Sequence, residues 1–236
     1  MDDRWEYGVA AERGNRGRAI GTGKAPWLLA VSGALALAAG SAAAEPVTIL
    51  ALGDSLTAGY GLPPEEGFVP QLQDWLDAQG AEITVVNAGV SGDTTTGGLA
   101  RLDWSLTPEV DAMIVALGGN DYLRGIDPSA SRAALEEIIE TAEARDVEVL
   151  LVGITAGTNY GPDYQSAFNA VYTDLAQAHD LPLRPDFFEG LRPARDAGAL
   201  RDMLQADGLH PNAAGVALIV ADLGPAVLAL AEEAAD

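Results

Sequence analysis

The chain has 236 residues, with 35 Asp or Glu against 13 Lys or Arg, two histidines and no cysteine. That length holds one domain with a full core. A formal charge of −22 repels phosphate backbones and anionic lipid, so nucleic acid is not an expected partner, and the missing cysteine excludes disulfides, thiolate catalysis and cysteine-ligated metals.

Residues 1–44 read as an export leader. Ala25 to Gly40 is apolar and uncharged, follows Arg13, Arg16, Arg18 and Lys24, and runs into Ser41-Ala42-Ala43-Ala44. A basic flank, a short apolar run and small residues are the order of a secretory signal peptide, with cleavage expected between Ala44 and Glu45. An uncleaved anchor is the alternative, although a span usually takes about 20 apolar residues. The segment before the apolar run is long for a signal peptide and carries Asp2, Asp3, Glu6 and Glu12. Cleavage leaves residues 45–236 as one domain in the periplasm or medium, without a membrane span. It holds 31 acids and eight bases, all arginine, for a charge of −23.

The domain opens with Val47 to Gly53, an apolar strand that breaks into a turn carrying Asp54 and Ser55. After a Pro-Pro loop, Pro70 is expected to open a short helix with Val69, Leu72 and Leu76 on one face. The β-branched Ile83–Asn87 reads as the second strand, ending in a glycine-bearing turn over Ala88 to Asp93, and one helix is expected from about Thr95 to Ser105. Ala112–Leu117 is the third strand and ends in Gly118-Gly119-Asn120-Asp121. Asp127 and Pro128 supply an N-cap and a first-turn proline for a helix with Leu135, Ile138, Ile139 and Ala142 on its apolar face. Glu148–Ile154 is the fourth strand, and Tyr164, Phe168, Val171, Tyr172 and Leu175 predict a helix over 163–178. A short fifth strand is expected near Leu181 to Pro185, then Asp207-Gly208-Leu209-His210-Pro211 and a last helix that Gly224-Pro225 would kink. Short strands alternating with helices indicate an α/β domain, a parallel sheet of about five strands with helices on both faces.

In such a sheet a ligand sits beyond the carboxyl ends of the strands, where this chain places Gly53-Asp54-Ser55, Ser91-Gly92-Asp93 and Gly119-Asn120-Asp121. The turns do not form a Walker loop, because five residues separate Gly53 from Gly59 and Tyr60 stands where lysine is needed. G-x-S-x-G and H-E-x-x-H are also missing. Hydrolysis through Ser55 requires a base. His179 ends an amphipathic helix, a common structural position for histidine. His210 lies in a loop three residues after Asp207, so the carboxylate can curl back to the imidazole and leave its other nitrogen for Ser55. The N–H groups of Ser55 and Gly92 and the Asn120 amide could converge as donors to an oxyanion, although Gly92 and Asn120 serve equally well as turn residues. Asp54, next to Ser55 in sequence, suits a helix start better than the role of triad acid.

With these residues assembled, the chain resembles the SGNH or GDSL hydrolase superfamily. The blocks run in order as GDSLTAGYG from Gly53, NAGVSGDTTTGGLARL from Asn87, LGGND from Leu117 and DGLHPN from Asp207, spanning essentially residues 47–232. Their wording is similar to exported bacterial enzymes called thioesterase, arylesterase and lysophospholipase. The resemblance implies a flavodoxin-like three-layer α/β/α sandwich without cofactor or metal. It also implies Ser55 as nucleophile, His210 and Asp207 as its partners, an oxyanion hole of Ser55, Gly92 and Asn120, and acyl-chain contacts from Tyr122, Leu123 and Ile126.

The expected protein is a monomeric serine esterase acting on small acyl esters, with thioesters and lysophospholipids as further substrates. Its acidic surface works against anionic phospholipid and acyl-CoA. A carbohydrate O-deacetylase would use the same residues on acetyl groups. A non-catalytic lipid or glycan binder would need only the fold.

Overall fold

The computed structural model describes residues 46–235, so the leader expected over 1–44 lies outside the described residues. Five parallel strands form one sheet in the order β2-β1-β3-β4-β5: β1 Val47–Gly53, β2 Ile83–Gly89, β3 Ala112–Ala116, β4 Glu148–Val152 and β5 Leu183–Arg184. The order reverses between β1 and β3, and at that switch point the loops leaving the two strands part to opposite faces and open a crevice.

Strands β1, β3 and β4 bury apolar side chains on both faces, which is why they read as continuous runs rather than alternating ones. Ile49 and Ala51 of β1, with Ile114 of β3 and Leu150 of β4, pack in a core with α2 (Phe68–Ala78) and α9 (Ala213–Ala234). Leu50 and Leu52, with Met113, Val115 and Leu151, pack in a second core with α6 (Pro128–Glu143) and α7 (Pro162–His179). Two layers of helix thus enclose the sheet. The remaining helices are short and lie near the sheet's carboxyl edge or on its flank: α1 Ser55–Ala58, α3 Thr95–Ala100, α4 Leu102–Ser105, α5 Gly119–Arg124 and α8 Arg192–Asp196.

Three expectations shift in the structure. Helix α2 starts at Phe68, so Pro70 sits within its first turn, where a missing N–H costs no helix bond. The single helix over 95–105 is two, divided at Arg101, whose backbone leaves helical geometry while its side chain reaches Asp93 and the Gly53 carbonyl. The turn after β3 becomes helix α5. The last helix continues through Pro225, with Gly224 letting the Trp75 ring lie against the helix where a Cβ would meet it at 2.7 Å. Asp127 caps α6 as expected, accepting the Ser129 N–H at 2.9 Å.

Candidate active site

Strand β1 delivers Ser55 to the crevice. Asp54 caps α1 through Oδ1, which accepts the Leu56 N–H at 3.0 Å, and the helix closes at Gly59 in the left-handed region (φ +78°). A helix this short leaves Ser55 at the open edge of the sheet, half-buried, while Asp54 is buried beneath it. Burial pushes the Asp54 carboxyl up; the Leu56 N–H, the Asn120 amide and the charge of His210 pull against that shift.

His210 arrives from the opposite side, on the loop before α9. Its Nε2 lies 2.8 Å from Ser55 Oγ and its Nδ1 2.7 Å from Asp207 Oδ2. The loop is wound to make this possible. Asp207 Oδ1 accepts the N–H groups of Leu209 at 2.9 Å and His210 at 3.1 Å, and Gly208 takes φ +71°, a conformation that costs glycine little. The Leu209 N–H and the His210 side chain, with a further contribution from the His210 N–H, hold the Asp207 carboxyl down at about 2. With Asp207 ionised, Nδ1–H donates to it and Nε2 remains to accept the serine proton.

Gln205 fastens this loop across the site: its amide donates to the Tyr60 carbonyl at 2.8 Å and the Pro211 carbonyl at 2.9 Å. The Tyr60 ring lies beside the imidazole, centroids 4.7 Å apart.

The other strand ends supply the donors. Gly92 has φ +88° in a turn closed by the Asp93 N–H donating to the Val90 carbonyl at 3.0 Å. Two arginines fix that turn. Arg101 donates to Asp93 at 2.6 Å and to the Gly53 carbonyl at 2.9 Å, tying the turn to the end of β1, and Arg124 donates to the Gly92 carbonyl at 2.7 Å. Asn120, from the first turn of α5, donates through Nδ2 to Asp54 Oδ2 at 3.1 Å; its second Nδ2 hydrogen remains for a ligand. The N–H groups of Ser55 and Gly92 have no acceptor among the described residues.

These groups border a cavity of about 690 Å³ that also includes Tyr122, Leu123, Ile154 and Phe188. The structure therefore brings together Ser55, Gly92, Asn120 and His210 at the cavity, with Asp207 behind the imidazole. Tyr122 and Leu123 line it as expected, and Ile126 does not. Gly125 (φ +63°) is the C-cap of α5, and the Ile126 N–H beyond it folds back onto the Asp121 carbonyl at 3.0 Å. His179 stands apart, with Nδ1 3.0 Å from Glu143 Oε1, matching its structural reading.

Sequence reasoning gave no role to Asp54 beyond a helix start, or to Tyr60, Arg101, Gln205 and Asp121. Asp121 lies fully buried under the crevice, where its carboxylate accepts the Thr95 N–H (2.9 Å), the Thr95 hydroxyl (2.6 Å) and the Ser131 hydroxyl (2.9 Å), joining α5 to α3 and α6. A sequence signal existed only for Asp121, as a charged residue closing an apolar strand's exit turn.

Comparison with known proteins identifies the family and the fold. The model of the GDSL-like Lipase/Acylhydrolase family matches residues 51–218. Esterase TesA of Pseudomonas aeruginosa is 41% identical over 198 residues, which are 84% of this chain and 96% of that protein. The Escherichia coli K12 thioesterase 1/protease 1/lysophospholipase L1 is 40% identical over 174 residues, 72% of this chain and 78% of that one. A crystal structure of TesA superposes with a TM-score of 0.70 at 40% identity, covering 78% of this chain and 99% of the other. A five-stranded parallel sheet with its polar turns at the carboxyl edge and a family match across most of the domain lead to one assignment: the chain belongs to the GDSL-like lipase/acylhydrolase family.

Proposed function

We propose that this protein is an exported serine hydrolase of carboxylic acyl esters, with thioesters and lysophospholipids within its range. The observation that carries the reading is the unbroken line from Asp207 through both ring nitrogens of His210 to Ser55 Oγ, each step at hydrogen-bond distance. The relatives named esterase and thioesterase support the reaction class. Ser55 Oγ attacks the ester carbonyl as Nε2 takes its proton. The charge that develops on the carbonyl oxygen is met by the Ser55 and Gly92 N–H groups and the Asn120 amide. His210 then protonates the leaving alcohol or thiol, and in the second half-reaction deprotonates water for attack on the acyl-enzyme. Tyr122 and Leu123 offer the acyl chain an apolar wall. The leader expected from the sequence would carry the enzyme to the periplasm or medium.

The test is hydrolysis of p-nitrophenyl esters from acetyl to decanoyl, beside acetylated sugars. Turnover of the aryl esters that persists beyond acetyl is the expected result. Activity confined to acetylated sugars would make the protein a deacetylase, and none on any ester would make it a binder.

Asn120→Ala should lower kcat on such an ester by about 100- to 1000-fold with little change in KM, because the amide is asked to act on charge that exists only in the transition state. A change confined to KM would place Asn120 in substrate binding instead.

A further inference from the structure

Residues 45–236 contain eight arginines and no lysine amid 31 acids. Six of the arginines are engaged. Arg101, Arg132, Arg145, Arg184 and Arg192 pair with Asp93, Asp174, Asp103, Asp222 and Glu189, and Arg124 donates to the Gly92 carbonyl. Arg195 and Arg201 have no ion-pair or hydrogen-bond partner among the described residues, and of the eight only Arg195 lines the catalytic cavity. It is exposed there, on α8, in a lining that also includes Asp186, Phe188, Leu209 and His210.

Two carboxylates line the same cavity, and neither neutralises it. Both Asp54 oxygens are occupied, by the Leu56 N–H and the Asn120 amide. Asp186 Oδ1 accepts the Phe188 N–H at 3.1 Å and forms no ion pair with Arg195. In so acidic a domain a guanidinium has many carboxylates to choose from. One held on the wall of the catalytic cavity without any offers its donors to whatever enters.

We infer that Arg195 is a specificity-determining residue whose guanidinium binds an anionic group, phosphate, sulfate or carboxylate, on the ester whose carbonyl meets Ser55. The inference rests on the ester-hydrolase reading and narrows its substrates to amphiphiles that carry a negative charge. Guanidinium suits this task because its planar fork presents paired donors to an oxyanion. The domain's negative field opposes the approach of such a substrate, but that field is screened over about 8 Å at physiological salt. A direct contact inside the cavity is not screened to the same degree. The competing role for Arg195, a cation near the last carbonyls of α8, makes no distinction between charged and neutral substrates.

The experiment compares p-nitrophenyl butyrate with two anionic relatives, mono-p-nitrophenyl glutarate (carboxylate on the acyl side) and 3-carboxy-4-nitrophenyl butyrate (carboxylate on the leaving group). The readout is the ratio of kcat/KM, anionic to neutral, in wild type, Arg195→Gln and Arg195→Glu. For at least one anionic ester the ratio should fall about three- to tenfold in Arg195→Gln, the range of a solvent-accessible charge-assisted contact, and further in Arg195→Glu. The ester that responds identifies which end of the substrate carries the anion. Equal ratios in all three proteins would overturn the inference.

Calorimetric binding of octyl phosphate and octyl glucoside to Ser55→Ala, with and without Arg195→Gln, separates this inference from the catalytic reading. A phosphate preference that falls with Arg195→Gln supports anion recognition even if no ester is turned over. Ester turnover with no such preference defeats anion recognition alone.

Discussion

Ser55→Ala should lower kcat on a p-nitrophenyl ester by roughly 10⁴- to 10⁶-fold, leaving the donors and the cavity to give whatever catalysis remains. The fold should survive, since the Ser55 hydroxyl bonds only to His210 among the described residues and its helix is capped by Asp54. An alkyl fluorophosphonate should label the wild type at one site per chain, at Ser55, and leave the alanine variant unlabelled. Labelling of both proteins would move the nucleophile elsewhere.

The pH profile tests the other end of the same line. The Asp207 carboxyl is held at about 2, below its ordinary value, so its support of the imidazole is fully present above about pH 4 and is lost only as pH falls through about 2. A fall in kcat/KM anywhere between pH 8 and 4 therefore does not come from Asp207. Asp207→Asn should cut activity sharply across this whole range rather than move the acid limb. A limb that shifts with unchanged plateau activity would contradict the assignment.

Much of this site was legible because its parts are local. Ser55, Gly92 and Asn120 each sit within four residues of the end of a strand whose β-branched or apolar run is visible, and a parallel sheet brings such ends to one edge. Asp207 and His210 share a loop with a glycine between them, so their contact could be read from spacing. What escaped are contacts between residues far apart in sequence. Asp54 meets Asn120 across 66 residues, Arg101 reaches Gly53 across 48 and Gln205 holds Tyr60 across 145. No periodicity encodes such pairs. The break between α3 and α4 has the same origin, since Arg101 is drawn out of the helix by partners in other segments. Ile126 falls outside the cavity lining, just past a left-handed glycine that turns the chain.

Asp121 is where the unread part of the sequence should matter most for stability. Asp121→Ala removes the acceptor of three hydrogen bonds and strands the Thr95 N–H, the Thr95 hydroxyl and the Ser131 hydroxyl in a site closed to water. Each stranded donor costs about 1–3 kcal/mol, non-additively, so a loss of roughly 4 kcal/mol is expected, a large fraction of ordinary domain stability. That corresponds to a fall in Tm of about 10 °C for a domain of this size. Denaturant unfolding checks the value, and a loss under about 1 kcal/mol would show that the network is not limiting. The origin of the loss can be isolated. Adding Thr95→Val and Ser131→Ala removes two of the three stranded donors, so the triple variant should regain part of the stability despite having lost more hydrogen bonds. If it is instead less stable than Asp121→Ala, the cost lies in the cavity that the missing carboxylate leaves. Activity follows by a separate route: Asn120 and Asp121 are consecutive on α5, and Asp121 anchors that helix to α3 and α6. Turnover in Asp121→Ala should therefore fall even at temperatures where the variant is fully folded, as the Asn120 amide loses its fixed position over the crevice.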